Sequence, residues 1–148
     1  MLTHLIGDST QPFHCGHRND DNGANKVQVY FGAVGPDGKL RPLVETNLHA
    51  IWDDLLIDLH SYSWGSYAAA LERDVISRVD AGPLDDGFAV RWIEECHDVA
   101  RTLYGWTPEG TYMIGPDYQA DVQPILDRQL ATGGVRLAAL LNKLLGGH

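Results

Sequence analysis

The sequence is poor in positive charge: its 148 residues hold 11 Lys and Arg against 20 Asp and Glu, a formal net charge of −9. A protein that holds nucleic acid through its own surface charge neutralises many phosphates with Lys and Arg. This balance excludes a basic groove of that kind, so a phosphate-bearing ligand would have to be met by bound cations. Cysteine is almost as scarce. Cys15 and Cys96 are the two thiols, too few for a disulfide framework and compatible with one bridge or none. No run of eighteen apolar residues exists, which predicts no membrane span. No basic stretch leads into an apolar core and a cleavage site, so the sequence predicts a soluble chain without a leader. Repeats and low-complexity tracts are absent. The length predicts one compact domain over 1–148.

What is present reads mainly as helix. Leu2, Leu5 and Ile6 recur at helical spacing until Pro12 stops them. "HRNDDNGAN" (17–25) is dense in turn formers and predicts loop. "KVQVYF" (26–31) alternates as a strand, "GPDG" (35–38) turns, and "KLRPLVE" (39–45) returns as a weak partner in which Pro42 is a poor strand residue. An irregular β-hairpin or long loop is therefore expected at about 26–45. From Thr46 or Asn47 as cap, "LHAIWDDLLIDL" places Leu48, Ile51, Trp52, Leu55, Leu56 and Leu59 on one broad face. Further helices are predicted over 66–79, over 86–104 with Asp85 or Asp86 as cap, and over 117–145 with Pro124 near a kink. The fold class is an all-α domain with one small extended excursion.

Residues four apart on a helix share a face, so His4 with Asp8, and His49 with Asp53, can each close on one ion. Imidazole and carboxylate at that spacing are ligands that zinc accepts. Chance places roughly one such pair among the histidines, and three occur. The third, His17 with Asp21, lies in the turn-rich loop where the helical argument fails. His14, beyond Pro12, is free to turn into the same space. Cys15 beside it could enter a zinc shell as thiolate, or be packed or disulfide-bonded. His60, His97 and His148 have no partner at useful spacing.

"GDSTQPFH" (7–14) and "NLHAIWD" (47–53) resemble the two signature stretches of the S1/P1 nuclease family, the trinuclear-zinc, single-strand-specific nucleases related to zinc phospholipase C. "DNGAN" (21–25) is similar to that family's glycine-rich turn, "RWIEECHDVARTLY" (91–104) to its tryptophan-led helix, and "GVRLAALLN" (134–142) to its last helix. The resemblance implies that His4 binds one ion of a close zinc pair and that Asp8, given a catalytic role, bridges both ions of that pair. His14, His49 and Asp53 would be the protein ligands of a third zinc. Asn25 would bind substrate or close the turn, Trp52 would pack beside the site, and Gly7 would allow backbone to approach the metals closely. Thr10 and Asp54 stand where the family tends to carry a histidine and a substrate-recognising amide. The segment between His14 and His49 looks longer than usual, which implies an enlarged loop at the site mouth.

The chain opens inside the family's pattern, after the part that supplies a leading tryptophan and further His and Asp ligands. The resemblance thus covers about a C-terminal half, with one complete ligand set of three. Helices deprived of their packing partner would expose apolar faces, which leads to the expectation of a homo-oligomer or of a partner supplying the N-terminal half. The function implied is a zinc-dependent phosphodiester hydrolase acting on single-stranded DNA or RNA, with 3′-nucleotidase action and 5′-phosphate products. Phospholipid hydrolysis shares the chemistry, but no membrane element supports it. The competing reading is a non-catalytic zinc-binding remnant or interaction module of the same fold. By resemblance the protein is secreted or periplasmic.

Overall fold

The computed structural model describes residues 1–60, 63–107 and 112–146, with His60 described by its backbone alone. Its elements are α1 (Leu2–Asp8), β1 (Gln28–Phe31), β2 (Val44–Asn47), α2 over 48–60, α3 (Trp64–Asp74), α4 (Phe88–Trp106), β3 (Tyr112–Ile114) and α5 (Pro116–Leu145). Single 3₁₀ turns lie at Pro12–His14 and Ile76–Arg78. The expected mainly helical architecture is what forms, with helices ending or starting where local chemistry dictates. Asn47 accepts the Ala50 amide at 2.9 Å and starts α2. Ser63 accepts the Ser66 amide at 3.2 Å, so α3 begins earlier than the apolar pattern indicates, and it stops at Asp74 because Val75 leaves helical geometry. The predicted helix over 66–79 is thus a shorter helix followed by a 3₁₀ turn. Pro116 occupies the first turn of α5, where its missing amide costs nothing, and α5 continues through Pro124.

The extended excursion is larger than a hairpin. β1 lies centrally, antiparallel to β2 with Val29 opposite Thr46, and parallel to β3 with Val29 opposite Tyr112. Three residues of β3 are too few to show a period of two in sequence, and the parallel pairing spans the helices between. Val34 and Leu40 add an isolated antiparallel bridge. Val29 and Phe31 point inward from β1 and are essentially inaccessible. They join Phe13, Leu48, Ile51, Trp52, Leu56, Leu103, Val122 and Leu126 in the main core. A second cluster ties α1 to α4 and α5 through Ile6, Trp92 and Leu140.

Several polar devices fix this assembly. The Arg18 guanidinium donates to the carbonyls of Tyr104 and Thr107 at 3.1 and 2.9 Å, satisfying orphan acceptors at the end of α4. Arg136 of α5 is 3% exposed, pairs with Glu95 of α4 and lies 4.9 Å over the Trp92 ring. The two cysteines that sequence left open form a disulfide, Cys15–Cys96. It joins the turn after Pro12–His14 to the middle of α4 across 81 residues. Closing so long a loop removes denatured-state entropy on the order of 4 kcal/mol. Reduction is therefore expected to lower the melting temperature by roughly 10 °C, read by calorimetry with and without reductant; an unchanged melting curve would count against the cross-link as a stabilising element.

Candidate metal centre

The segment that presents His14 is anchored on both sides. Pro12 and Phe13 are buried, and the Phe13 ring packs edge-on against Trp52 at 5.9 Å and against Tyr104 at 5.2 Å. Cys15 follows at once and is tied to α4. His14 between them has little freedom to swing away, although its side chain stays 36% exposed. Gln11 caps the turn by accepting the Phe13 amide, and its own amide donates to Asp53 Oδ1 at 2.6 Å.

Asp53 arrives from α2, within a π-helical turn at Ile51–Leu55, a widened turn that frequently accompanies functional sites. Its neighbours Ile51 and Trp52 are sealed in the core, and Trp52 Nε1 donates to the Tyr118 hydroxyl at 2.8 Å. Trp52 is therefore a packed side chain. Asp53 Oδ1 lies 3.4 Å from His14 Nε2, and Oδ2 lies 3.3 Å from His49 Nε2. The two imidazoles meet edge-on with centroids 4.7 Å apart. One ligand atom from each of His14, His49 and Asp53 lies within 4.8 Å of the others. This is the one such group of three or more His, Cys, Asp or Glu among the described residues.

The histidine tautomer follows from its second contact. His49 Nδ1 is 2.6 Å from the Gly23 carbonyl. A carbonyl accepts only, so Nδ1 carries a proton, and Nε2, facing Asp53, is the ring nitrogen that can ligate a cation. Gly23 sits in a contorted loop where Asn19, Asp20, Asn22, Gly23 and Ala24 all have positive φ between 51° and 64°. A Cβ at Gly23 would come 2.4 Å from the Phe13 carbonyl oxygen, so glycine is required there for space as well as conformation. Asp21 holds the loop together. Burial pushes its carboxyl pKa up, but the nearby Tyr104 hydroxyl, the amides of Arg18 (3.1 Å from Oδ1) and Ala24, and the Arg18 charge outweigh that and hold it below the ordinary value. His17 meets Asp20, at 3.5 Å, rather than Asp21, as the argument against a helical pair there anticipates.

The remaining residues singled out in sequence lie around this centre in other ways. His4 and Asp8 pair on α1 at 3.2 Å, with His4 largely exposed. They stand apart from the triad, although Asp8 lines the same cleft, of about 320 Å³, as His14 and Asp53. Gly7 also lines it, yet a Cβ there meets nothing within 4 Å, so the close approach expected at Gly7 is not made by the described residues. Thr10 is buried and bonds the Gly7 carbonyl at 2.9 Å. Asn25 donates to the Asn22 carbonyl at 2.9 Å, closing the turn, and borders a polar hollow shared with His14 and His49. Asp54 is exposed. His97 Nδ1 lies 2.9 Å from the Cys15 carbonyl, and His148 and the His60 side chain lie outside the described residues. Sequence reasoning missed Gln11 and the Gly23 carbonyl as orienting groups. The glutamine stood in the motif without a role, and a backbone carbonyl leaves no mark in sequence.

Nitrogen and carboxylate donors in this number, with one imidazole already oriented by a carbonyl, suit a borderline divalent cation with further positions open. The sequence profile of the family described as S1/P1 Nuclease matches residues 1–146. The chain is similar to Endonuclease 3 of Arabidopsis thaliana, 29% identical over 97% of this chain and 50% of that protein. It is similar to Endonuclease 4 of the same plant, 28% identical over 97% of the chain and 49% of that protein, and to Nuclease P1 of Penicillium citrinum, 29% identical over the whole chain and 57% of that protein. The chain thus spans about half the length of the curated relatives it matches.

Asp21→Asn is expected to destabilise the fold by on the order of 1 kcal/mol at neutral pH. The folded pKa of Asp21 is lowered, so its contribution is complete above the ordinary carboxylate value and is lost as pH falls through the lowered one. Denaturant melts at a series of pH values should show the wild type and variant converging in acid. Gly23→Ala should both destabilise the chain and weaken divalent-cation binding by roughly tenfold, through loss of the His49 orientation.

Proposed function

Because the chain belongs to the S1/P1 nuclease family, we propose that it bears one metal centre of a zinc-dependent phosphodiester hydrolase acting on single-stranded nucleic acid, including 3′-phosphates of nucleotides. The observation that carries this reading is the convergence of His14, His49 and Asp53 on one point. His14 Nε2, His49 Nε2 and the Asp53 carboxylate would hold the ion, which when bound supplies Lewis-acid polarisation of a phosphoryl oxygen. Gln11 and the Gly23 carbonyl keep Asp53 and His49 in place. The negative chain charge makes such a cation the means of attracting a phosphate backbone.

The polar hollow of about 760 Å³ bounded by His14, His49, Asn25 and Lys26 offers a path for a strand, with Lys26 as the basic side chain on its wall. His4 and Asp8 belong, in this reading, to a second centre whose other ligands are not among the described residues. Leu5 on α1 and Leu141 and Leu144 on α5 are exposed apolar side chains that could be covered by further polypeptide. Among the described residues no helix is long and apolar enough to cross a membrane. The Cys15–Cys96 bridge favours an oxidising compartment, secreted or periplasmic. A second reading, a non-catalytic zinc-binding module, is favoured by the presence of one complete triad.

Elemental analysis after zinc loading and dialysis, together with an assay on denatured DNA, separates these. About one zinc per chain is expected from the triad, and Asp53→Asn should lower zinc affinity by roughly 100-fold or more. Cleavage that depends on Asp53 supports the hydrolase, and zinc binding without turnover supports the module. Retention of zinc by Asp53→Asn at wild-type affinity would sink both.

A further inference from the structure

On the side of α5 away from the triad, the 3₁₀ turn Ile76–Arg78, α4 and α5 border an open cleft of about 740 Å³. Arg78, Arg128 and Arg136 all line it, three of the 11 cations in a chain of net charge −9. Arg136 is buried to 97%, the complement of its 3% exposure. A terminal nitrogen pairs with Glu95, the guanidinium lies over Trp92, and the buried Nε–H has no acceptor among the described residues. An unpaired buried donor costs free energy until an acceptor reaches it. Burial also holds the Arg136 pKa below its ordinary value, more than Glu95 restores.

The acids on the cleft are already engaged. Glu95 serves Arg136, and Asp80 accepts the Gly82 amide at 2.9 Å. Arg78 and Arg128 are exposed on the rim, and neither side chain forms a salt bridge among the described residues; Arg78 touches Asp74 only as a distant charge. The Thr132 hydroxyl adds a neutral donor or acceptor to the wall. A concave surface with two uncommitted guanidinium forks and one buried unpaired N–H asks for a small ligand rich in acceptor oxygens and negative charge. Planar guanidinium groups match phosphate in this way.

We infer that this cleft is a phosphate-binding site separate from the metal triad, taking either a free or terminal phosphate or an internal phosphodiester of a strand. The site stands whether or not the triad holds a metal. Gln129 forms a common wall: it lines this cleft and the one containing Asp8, His14 and Asp53, and its amide donates to the Thr10 carbonyl at 2.7 Å. A phosphate seated here lies back to back with the triad cleft.

The test titrates the zinc-loaded chain at low ionic strength, by calorimetry and by amide chemical shifts, with inorganic phosphate and with a thymidine oligonucleotide bearing hydroxyl ends. Arg78→Gln combined with Arg128→Gln should weaken binding roughly tenfold while leaving thermal melting unchanged, since both side chains are exposed. Asp53→Asn should leave this binding in place. A double variant of equal charge elsewhere, Arg73→Gln with Arg101→Gln, should also leave it in place. Binding of inorganic phosphate with that pattern assigns a free or terminal phosphate, and binding of the oligonucleotide alone assigns a strand phosphodiester. The inference is overturned if neither probe binds, if Asp53→Asn abolishes binding and so moves the anion to the triad, or if the charge-matched control weakens it equally. The nuclease reading is decided separately, by zinc retention and Asp53-dependent cleavage of denatured DNA, which the Arg78 and Arg128 variants do not touch.

Discussion

The burial of Phe13 is the constraint on which the candidate site depends. Its ring is wedged between Trp52 and Tyr104, so three segments distant in sequence share one packed contact. Aromatic burial of this extent is worth several kcal/mol, far more than any single contact in the polar cluster. Because Phe13 cannot move, its successor His14 is delivered beside Asp53, whose own predecessor Trp52 is the other face of the same contact. The core thus sets the position of the ligands, and Gln11 and the Cys15–Cys96 bridge refine it from either side.

The loop over 17–26 shows the opposite economy. It places five residues at positive φ, four of them not glycine, an arrangement that costs free energy at each position. The strain is held by interactions that converge on Asp21 and Arg18: a carboxylate that accepts the Arg18 amide, and a guanidinium that closes the end of α4. The product of that strain is one carbonyl, that of Gly23, aimed at His49. A loop paired as a regular turn would not point a carbonyl there.

Charge is distributed with similar purpose. An acidic chain repels phosphate over most of its surface, so any attraction has to be local. A cation held by the triad would supply it at one place, and the guanidinium groups around α5 supply it at another. The two concavities share Gln129 but differ in chemistry, one built from imidazole and carboxylate, the other from Arg.

Helix positions, a cap at Thr46 or Asn47 and the pairs His4 with Asp8 and His49 with Asp53 were legible from spacing, because α-helical periodicity and capping are local rules. The two signature stretches pointed to the family for the same reason: a motif is a local string. That His14 joins His49 and Asp53 while His4 and Asp8 stay apart was open to no spacing argument, since 34 residues, nearly all loop and strand, intervene between His14 and His49 and only the packing of Phe13 closes that distance. The parallel strand Tyr112–Ile114, the pairing of Cys15 with Cys96 and the Gly23 carbonyl were likewise settled in three dimensions. Each is a contact between remote segments, and the free energy that selects it comes from surfaces that meet only once the chain has folded.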